Sequence, residues 1–158
     1  MNALLIVDLQ AAFHPPARVV NGIRRRAAHS RHRIFTRFIN PPGSVFRRKL
    51  KQSCCPPGSP DTQLLVEPQP RDLVFDKTRY GLTPGQIRRL KRRGITQVAV
   101  CGIDTDACVL GVLFSLFDAG VDCRAVPGLC WSSTGLHREA LKIISRQFPE
   151  PKRLPRKS

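Results

Sequence analysis

The chain predicts an α/β fold, a mostly parallel sheet of about five or six strands with helices on both faces and a Rossmann-like alternation. Three observations carry this. Short continuous apolar runs of strand length recur along the chain, the pattern of strands covered on two sides. Stretches bearing helix-start and helix-stop residues separate them, which calls for right-handed crossovers rather than hairpins. The 158 residues suit one domain, able to bury about two thirds of its unfolded surface.

In order, Ala3 to Val7 is the first apolar run and Arg33 to Ile39 the second. One helix fits between them, with Asn21 as its N-cap and Arg24 to Arg26 and Arg31 on its solvent side. From 41 to 70 the chain is rich in Pro, Gly and Ser, so it reads as a loop or lid, with weak helical turns near Phe46 to Lys51 and Thr62 to Val66. Asp72 to Phe75 is the third strand. Thr83 and Pro84 then open a helix that stops at Gly94. Gln97 to Cys101 is the fourth strand, followed by a helix from about Asp106 to Ala119 that Gly120 ends. Val121 to Val126 is the fifth strand and Leu136 to Phe148 the last helix. The domain therefore runs over 1–148, and the basic stretch 149–158 reads as a frayed tail.

No apolar run approaches the roughly 18 residues of a membrane span, and Ala3 to Val7 is too short and lacks the basic flank of an export leader. A cytoplasmic chain is the expectation. Six cysteines, two of them adjacent, read as reduced thiols. They share no ligand spacing with the four histidines, so no metal is expected. The formal net charge is +16, an attraction for polyanions. Its basic runs are dispersed, however, and few aromatics lie among them to stack on bases, which leaves non-specific nucleic-acid binding as the expectation.

Ligands of parallel sheets bind beyond the carboxyl ends of the strands. Asp8, Lys77 and Cys108 all fall just past predicted strand ends, so all three should meet at that edge. Cys108 also sits where a helix begins, next to unpaired N–H groups and the positive end of the dipole, which favours thiolate. Asp8 and Lys77 are expected to support that ionisation, so Asp8→Asn or Lys77→Ala should suppress alkylation. A lone cysteine is more often a small buried hydrophobe. An acid, an amine and a thiol together suffice for acyl transfer, with backbone N–H groups taking the oxyanion.

The blocks ALLIVDLQAAF (3–13), IFTRFIN (34–40), DLVFDKTRYG (72–81) and VCGIDTDACVLG (100–111) make the chain resemble the isochorismatase-like cysteine hydrolases, which include nicotinamidases and N-carbamoylsarcosine amidohydrolase. The resemblance implies a three-layer α/β/α sandwich and a catalytic triad of Asp8, Lys77 and Cys108. It also implies a cis peptide between Ile103 and Asp104 that turns the Asp104 N–H, with that of Cys108, into an oxyanion hole. The expected reaction is cleavage of a C–N bond in a small amide-like substrate through a Cys108 thioester, with no cofactor, in a homo-oligomer.

The chain also departs from the family. Nicotinamidase-like members carry an Asp-x-His motif for a metal, and the segment after Arg37 reads FINPPGS instead. Phe13, Tyr80 and Trp131 are candidates to line a planar pocket, or else core or interface anchors. Arg37 would hold a substrate carboxylate or pair with a structural acid. His137 reads as structural. Two alternatives stand beside the amidohydrolase: an isochorismatase-type enol-ether hydrolase, and a catalytically idle basic binding or scaffold protein of the same fold.

Overall fold

A strand that is apolar at every position has no face to show to water, so it belongs at the centre of a covered sheet. In the computed structural model, which describes residues 1–149, β1 (Asn2–Val7) is that strand. It pairs in parallel with β2 (Arg33–Phe38) on one side and β4 (Gln97–Ile103) on the other. β3 (Leu73–Lys77) extends the sheet beyond β2, and β5 (Asp122–Trp131) extends it beyond β4. The order is β3-β2-β1-β4-β5, all parallel.

The steps from β1 to β2 and from β3 or β4 onward run in opposite directions across this sheet. Right-handed crossovers therefore put α1 (Ala17–Ala28) on one face and α3 (Pro84–Arg92) and α4 (Leu110–Asp118) on the other. Val19, Val20, Ile23 and Ala27 form the buried stripe of α1, and Val112, Leu113 and Leu116 that of α4. α5 (His137–Gln147) follows β5, and Phe148 at its end packs on Phe114 and Phe117 of α4. Among the described residues no helix is long and apolar enough to cross a membrane.

Four sequence expectations shift. α1 starts at Ala17, not at Asn21, because the Pro15–Pro16 pair supplies a helix entry with no N–H groups to satisfy. Asn21 lies within the helix and accepts a hydrogen bond from Arg24 Nη1 at 2.9 Å. β3 and β4 run two residues further than their apolar cores, so Lys77 is the last residue of its strand. β5 runs on through Pro127 and Gly128 to Trp131, which its position at the sheet edge and a register shift between Val100 and Gly102 allow.

Within 41–70, α2 (Val45–Leu50) and a tight turn at Pro60–Thr62 form, and the segment packs onto the carboxyl edge. Asn40 holds it by donating to Gln52 O and Cys54 O. From Glu150 on, the basic tail lies outside the described residues.

Two glycines set the approach of elements that build this edge. At Gly102, φ is +119°, and a Cβ would lie 2.2 Å from Val7 O, so only glycine lets β4 lie this close to the end of β1. A Cβ on Gly111 would lie 2.8 Å from Tyr80 Cβ. Its absence lets the start of α4 press against the loop that follows Lys77.

Candidate active site

Asp8 is the first residue after β1 and has φ +43°, a left-handed turn that Asp tolerates better than most side chains. Its N–H donates to Thr36 Oγ1 at 3.1 Å, and that hydroxyl donates back to Asp8 Oδ1 at 2.7 Å. The other carboxylate oxygen lies 2.6 Å from Lys77 Nζ. Lys77 Nζ also donates to Arg79 O at 2.9 Å and approaches Cys108 Sγ at 3.2 Å, so each of its three protons has an acceptor in reach. The Phe38 ring lies 5.6 Å from the same ammonium. Residue exposures of 1% for Asp8 and 3% for Lys77 mean that this ion pair has lost its water, while Cys108 is half-buried.

Cys108 lies in one wide helical turn, Thr105–Val109, that leads into α4. Asp104 precedes this turn, and its carbonyl accepts from the Ala107 and Val109 N–H groups at 3.1 and 3.0 Å. The Ile103–Asp104 peptide bond is cis. Ile103 itself is a core residue. The loop after β5 holds the residues between them and the sulfur. Ser133 donates to the Asp104 carboxylate from N–H and Oγ, Ser132 Oγ accepts the Thr105 N–H, and Thr134 donates to Asp106. His137 Nδ1 lies 2.8 Å from Thr105 Oγ1, which ties α5 to the same turn.

The electrostatics correct one expectation. Burial pushes the Cys108 thiol well above its ordinary range, and the Asp8 carboxylate pushes it further, while Lys77 pulls it down only in part. Loss of water and a nearby anion thus outweigh the helix start and the ammonium, and the environment favours the thiol form. Burial pulls Lys77 down, but Asp8 and Cys108 outweigh it, and the ammonium lies above its usual value. Burial also raises the Asp104 carboxyl, against the two hydrogen bonds from Ser133.

An arrangement with an acceptor for the thiol proton, a fixed ammonium and a cysteine at the sheet's carboxyl edge can perform nucleophilic attack. From the thiol form, the proton leaves as the sulfur attacks.

The four pocket candidates separate. Phe13, Phe38, Phe46 and Tyr80 form a row of ring contacts, with neighbouring centroids 4.8 to 6.4 Å apart, that runs past Lys77 to the exposed Tyr80. A shallow hollow beside it is lined by Val45, Phe46, Leu50 and Tyr80. Trp131 ends β5 opposite Ile103 and packs half-buried against the core. Arg37 does not face the pocket. It points away from the sheet face that carries Thr36 and Phe38 and pairs with Asp76 through two hydrogen bonds at 2.7 and 2.9 Å, the structural alternative.

Thr36 and Gln10 are site residues that strand-end logic misses. Gln10 is fully buried and bonds both main-chain groups of Phe38, at 2.7 and 3.0 Å. The available signal is a polar residue inside an apolar run, Thr36 within IFTRF and Gln10 within DLQAAF.

The family model for the Isochorismatase domain matches residues 2–151. A segment of 76 residues is 33% identical to the secreted isochorismatase effector Isc1 of Phytophthora sojae, covering 46% of this chain and 36% of that protein. The chain thus spans little more than a third of that relative.

In structure, it is similar to an isochorismatase-like hydrolase from Alkaliphilus metalliredigens, with TM-score 0.83, 15% identity and 93% of this chain and 91% of that one covered. A pyrazinamidase of Pyrococcus horikoshii in complex with zinc gives TM-score 0.81 at 17% identity, covering 93% and 96%. A pyrazinamidase/nicotinamidase of Streptococcus mutans gives 0.81 at 20%, covering 94% and 97%.

The donor set here does not fit a zinc ion such as the Pyrococcus horikoshii pyrazinamidase holds. No group of three or more His, Cys, Asp or Glu converges among the described residues. Asn40, in the segment after Arg37, has its amide engaged by Gln52 and Cys54 and its oxygen by Ser44. Matched by the family model over nearly its whole length and folded as those hydrolases are, the chain belongs to the isochorismatase family.

Proposed function

We propose that this protein is a cysteine hydrolase that cleaves a C–N bond of a small amide-like substrate, with Asp8, Lys77 and Cys108 as its catalytic residues. The observation that carries it is the meeting of a buried carboxylate, a buried ammonium and the sulfur of a half-buried cysteine within 3.2 Å contacts at the carboxyl edge of the sheet. Asp8 takes the Cys108 proton as sulfur adds to the carbonyl carbon, and the backbone N–H groups of Asp104 and Cys108 receive the oxyanion. The intermediate collapses by breaking the C–N bond, and the leaving amine takes the proton from Asp8. Water then adds to the thioester and gives a proton to Asp8. Carbon–sulfur cleavage releases the acid, and the proton returns to sulfur. Lys77 holds the Asp8 carboxylate in place and balances the charge that develops on sulfur.

The aromatic row from Phe13 to Tyr80 suits a flat or apolar substrate. Ammonia release across a panel of small amides, carbamoyl compounds and ureides tests the proposal. One or more should be turned over, and Cys108→Ala should lower that rate by on the order of 10⁴-fold. Turnover that survives Cys108→Ala would refute the thioester route.

A second reading is enol-ether hydrolysis, favoured by the 33% likeness to the Isc1 effector. Isochorismate consumption that persists in Cys108→Ala, with no ammonia released from any amide, would select it. No turnover of either kind would leave the basic scaffold role.

A further inference from the structure

The sheet has a second charged edge, and no step of the proposed hydrolysis uses it. At the amino ends of β2 and β3, the opposite edge from Cys108, a concavity of about 300 Å³ has the polar side chains of Arg31, His32, Arg33, Arg71, Asp72 and Arg93 around an apolar remainder of Met1, Leu73 and Ile95. The strands between the two edges are five to seven residues long, which places them about 20 Å apart.

The lining is strongly one-signed. Asp72 is its only acid, and it is already neutralised. Arg33 clamps both its oxygens, and the Gln69 N–H donates to it at 2.7 Å. This leaves three arginines, Arg31, Arg71 and Arg93, all exposed, with no second acidic side chain among the described lining residues to answer them. They are also partly organised. Arg93 Nη1 donates to Arg71 O at 3.2 Å, so one guanidinium is fixed against the backbone of the next, with its remaining N–H groups free to face a ligand. Planar guanidinium groups around a hollow suit the paired oxygens of phosphate groups.

We propose that this hollow binds a small molecule bearing a chain of two or three phosphates, at a site separate from Cys108. The observations favour a small molecule over nucleic acid. The arginines surround a concavity of ligand size rather than a groove, and no Phe, Tyr or Trp lines it to stack on bases. The net charge of +16 is spread over the whole chain and makes any polyanion adhere loosely, so the test must separate this hollow from that background.

The experiment is calorimetric titration of the full chain with tripolyphosphate, and separately with single-stranded RNA, at about 0.15 M salt, where diffuse attraction is screened beyond about 8 Å. Arg31→Glu, Arg71→Glu and Arg93→Glu together form the test variant. Lys49→Glu, Arg138→Glu and Lys142→Glu, at exposed positions outside the hollow, remove the same total charge.

Saturable one-to-one tripolyphosphate binding is expected. The first variant should weaken it by at least about tenfold, the scale of one lost charge-assisted contact, and the control by much less. Equal weakening in both variants, no saturable binding in the parent chain, or RNA binding that outcompetes tripolyphosphate would each overturn the proposal. Circular dichroism of both variants shows that a loss is not unfolding.

Discussion

Two buried ion pairs tie strands of this sheet together, one at each edge, Arg33–Asp72 between the neighbouring β2 and β3 and Asp8–Lys77 from the end of β1 past β2 to β3, and they differ in what is left over. At the amino edge, Arg33 and Asp72 form a closed fork: both carboxylate oxygens are engaged by the guanidinium, and a backbone N–H completes the set. At the carboxyl edge, Asp8 is held by Thr36 and Lys77, but the ammonium of Lys77 also reaches Cys108 Sγ. The first pair spends its charge on holding β2 to β3. The second shares its charge with a sulfur whose proton has somewhere to go. Burial is therefore common to both pairs, and what sets the second apart is a sulfur as the third member of its coordination.

The largest test of this contrast removes one cation from each pair. Lys77→Met and Arg33→Met should each destabilise the chain by roughly 3–5 kcal/mol, because each leaves a buried carboxylate without its partner. Urea unfolding measures this. Only Lys77→Met should also slow alkylation of Cys108, since it removes a neighbour that pulls the thiol down. If Arg33→Met slows alkylation as much, the two edges are not independent and the comparison breaks.

A smaller and opposite effect comes from Asp8→Asn. The Asp8 charge holds the Cys108 proton on, so, against the sequence expectation that Asp8→Asn suppresses alkylation, its removal should lower the thiol's pKa and speed alkylation at pH 7 while turnover falls. In the parent chain the alkylation rate should climb with pH beyond the ordinary thiol range, because the raised thiol ionises late. In Asp8→Asn that climb should start earlier. Mass-resolved labelling of Cys108 from pH 6 to 10 reads both curves, and an unshifted or later climb in Asp8→Asn would contradict the assigned electrostatics.

The smallest effect concerns the hydroxyl that finishes Asp8. Thr36→Val keeps the strand shape and removes the bonds from Thr36 Oγ1 to the carboxylate and to the Asp8 N–H. It should cost about 1–3 kcal/mol of stability and loosen the carboxylate, lowering turnover more than substrate binding. A loss in KM alone, with kcat unchanged, would mean that Thr36 does not position Asp8.

Much of this was legible in the residue order. The apolar runs located all five strands, and Thr83 followed by Pro84 marked the start of α3, where Thr83 and Gln86 form a reciprocal cap. Placing Asp8, Lys77 and Cys108 together needed only the strand ends and the rule that parallel sheets bind at the carboxyl edge. Asn21 misled as a cap because capping preference is a local signal, and the Pro15–Pro16 pair upstream had already supplied a helix entry. β5 was read too short because Pro127 and Gly128 ordinarily end a strand, and only an edge position tolerates them. Arg37 looked available because its partner, Asp76, lies 39 residues away on the neighbouring strand.

Taken alone, the sequence determined the periodicity of each element, the order of strands and helices, and which side chains sit at strand ends, because each of these is set by residues a few positions apart. Tertiary structure decided the upward push on the Cys108 thiol, the diversion of Arg37, the support from Thr36 and Gln10, and the arginine-lined hollow at the far edge. Those depend on charge, water exclusion and hydrogen bonds between segments tens of residues apart, and such neighbours exist only once the sheet has brought them side by side.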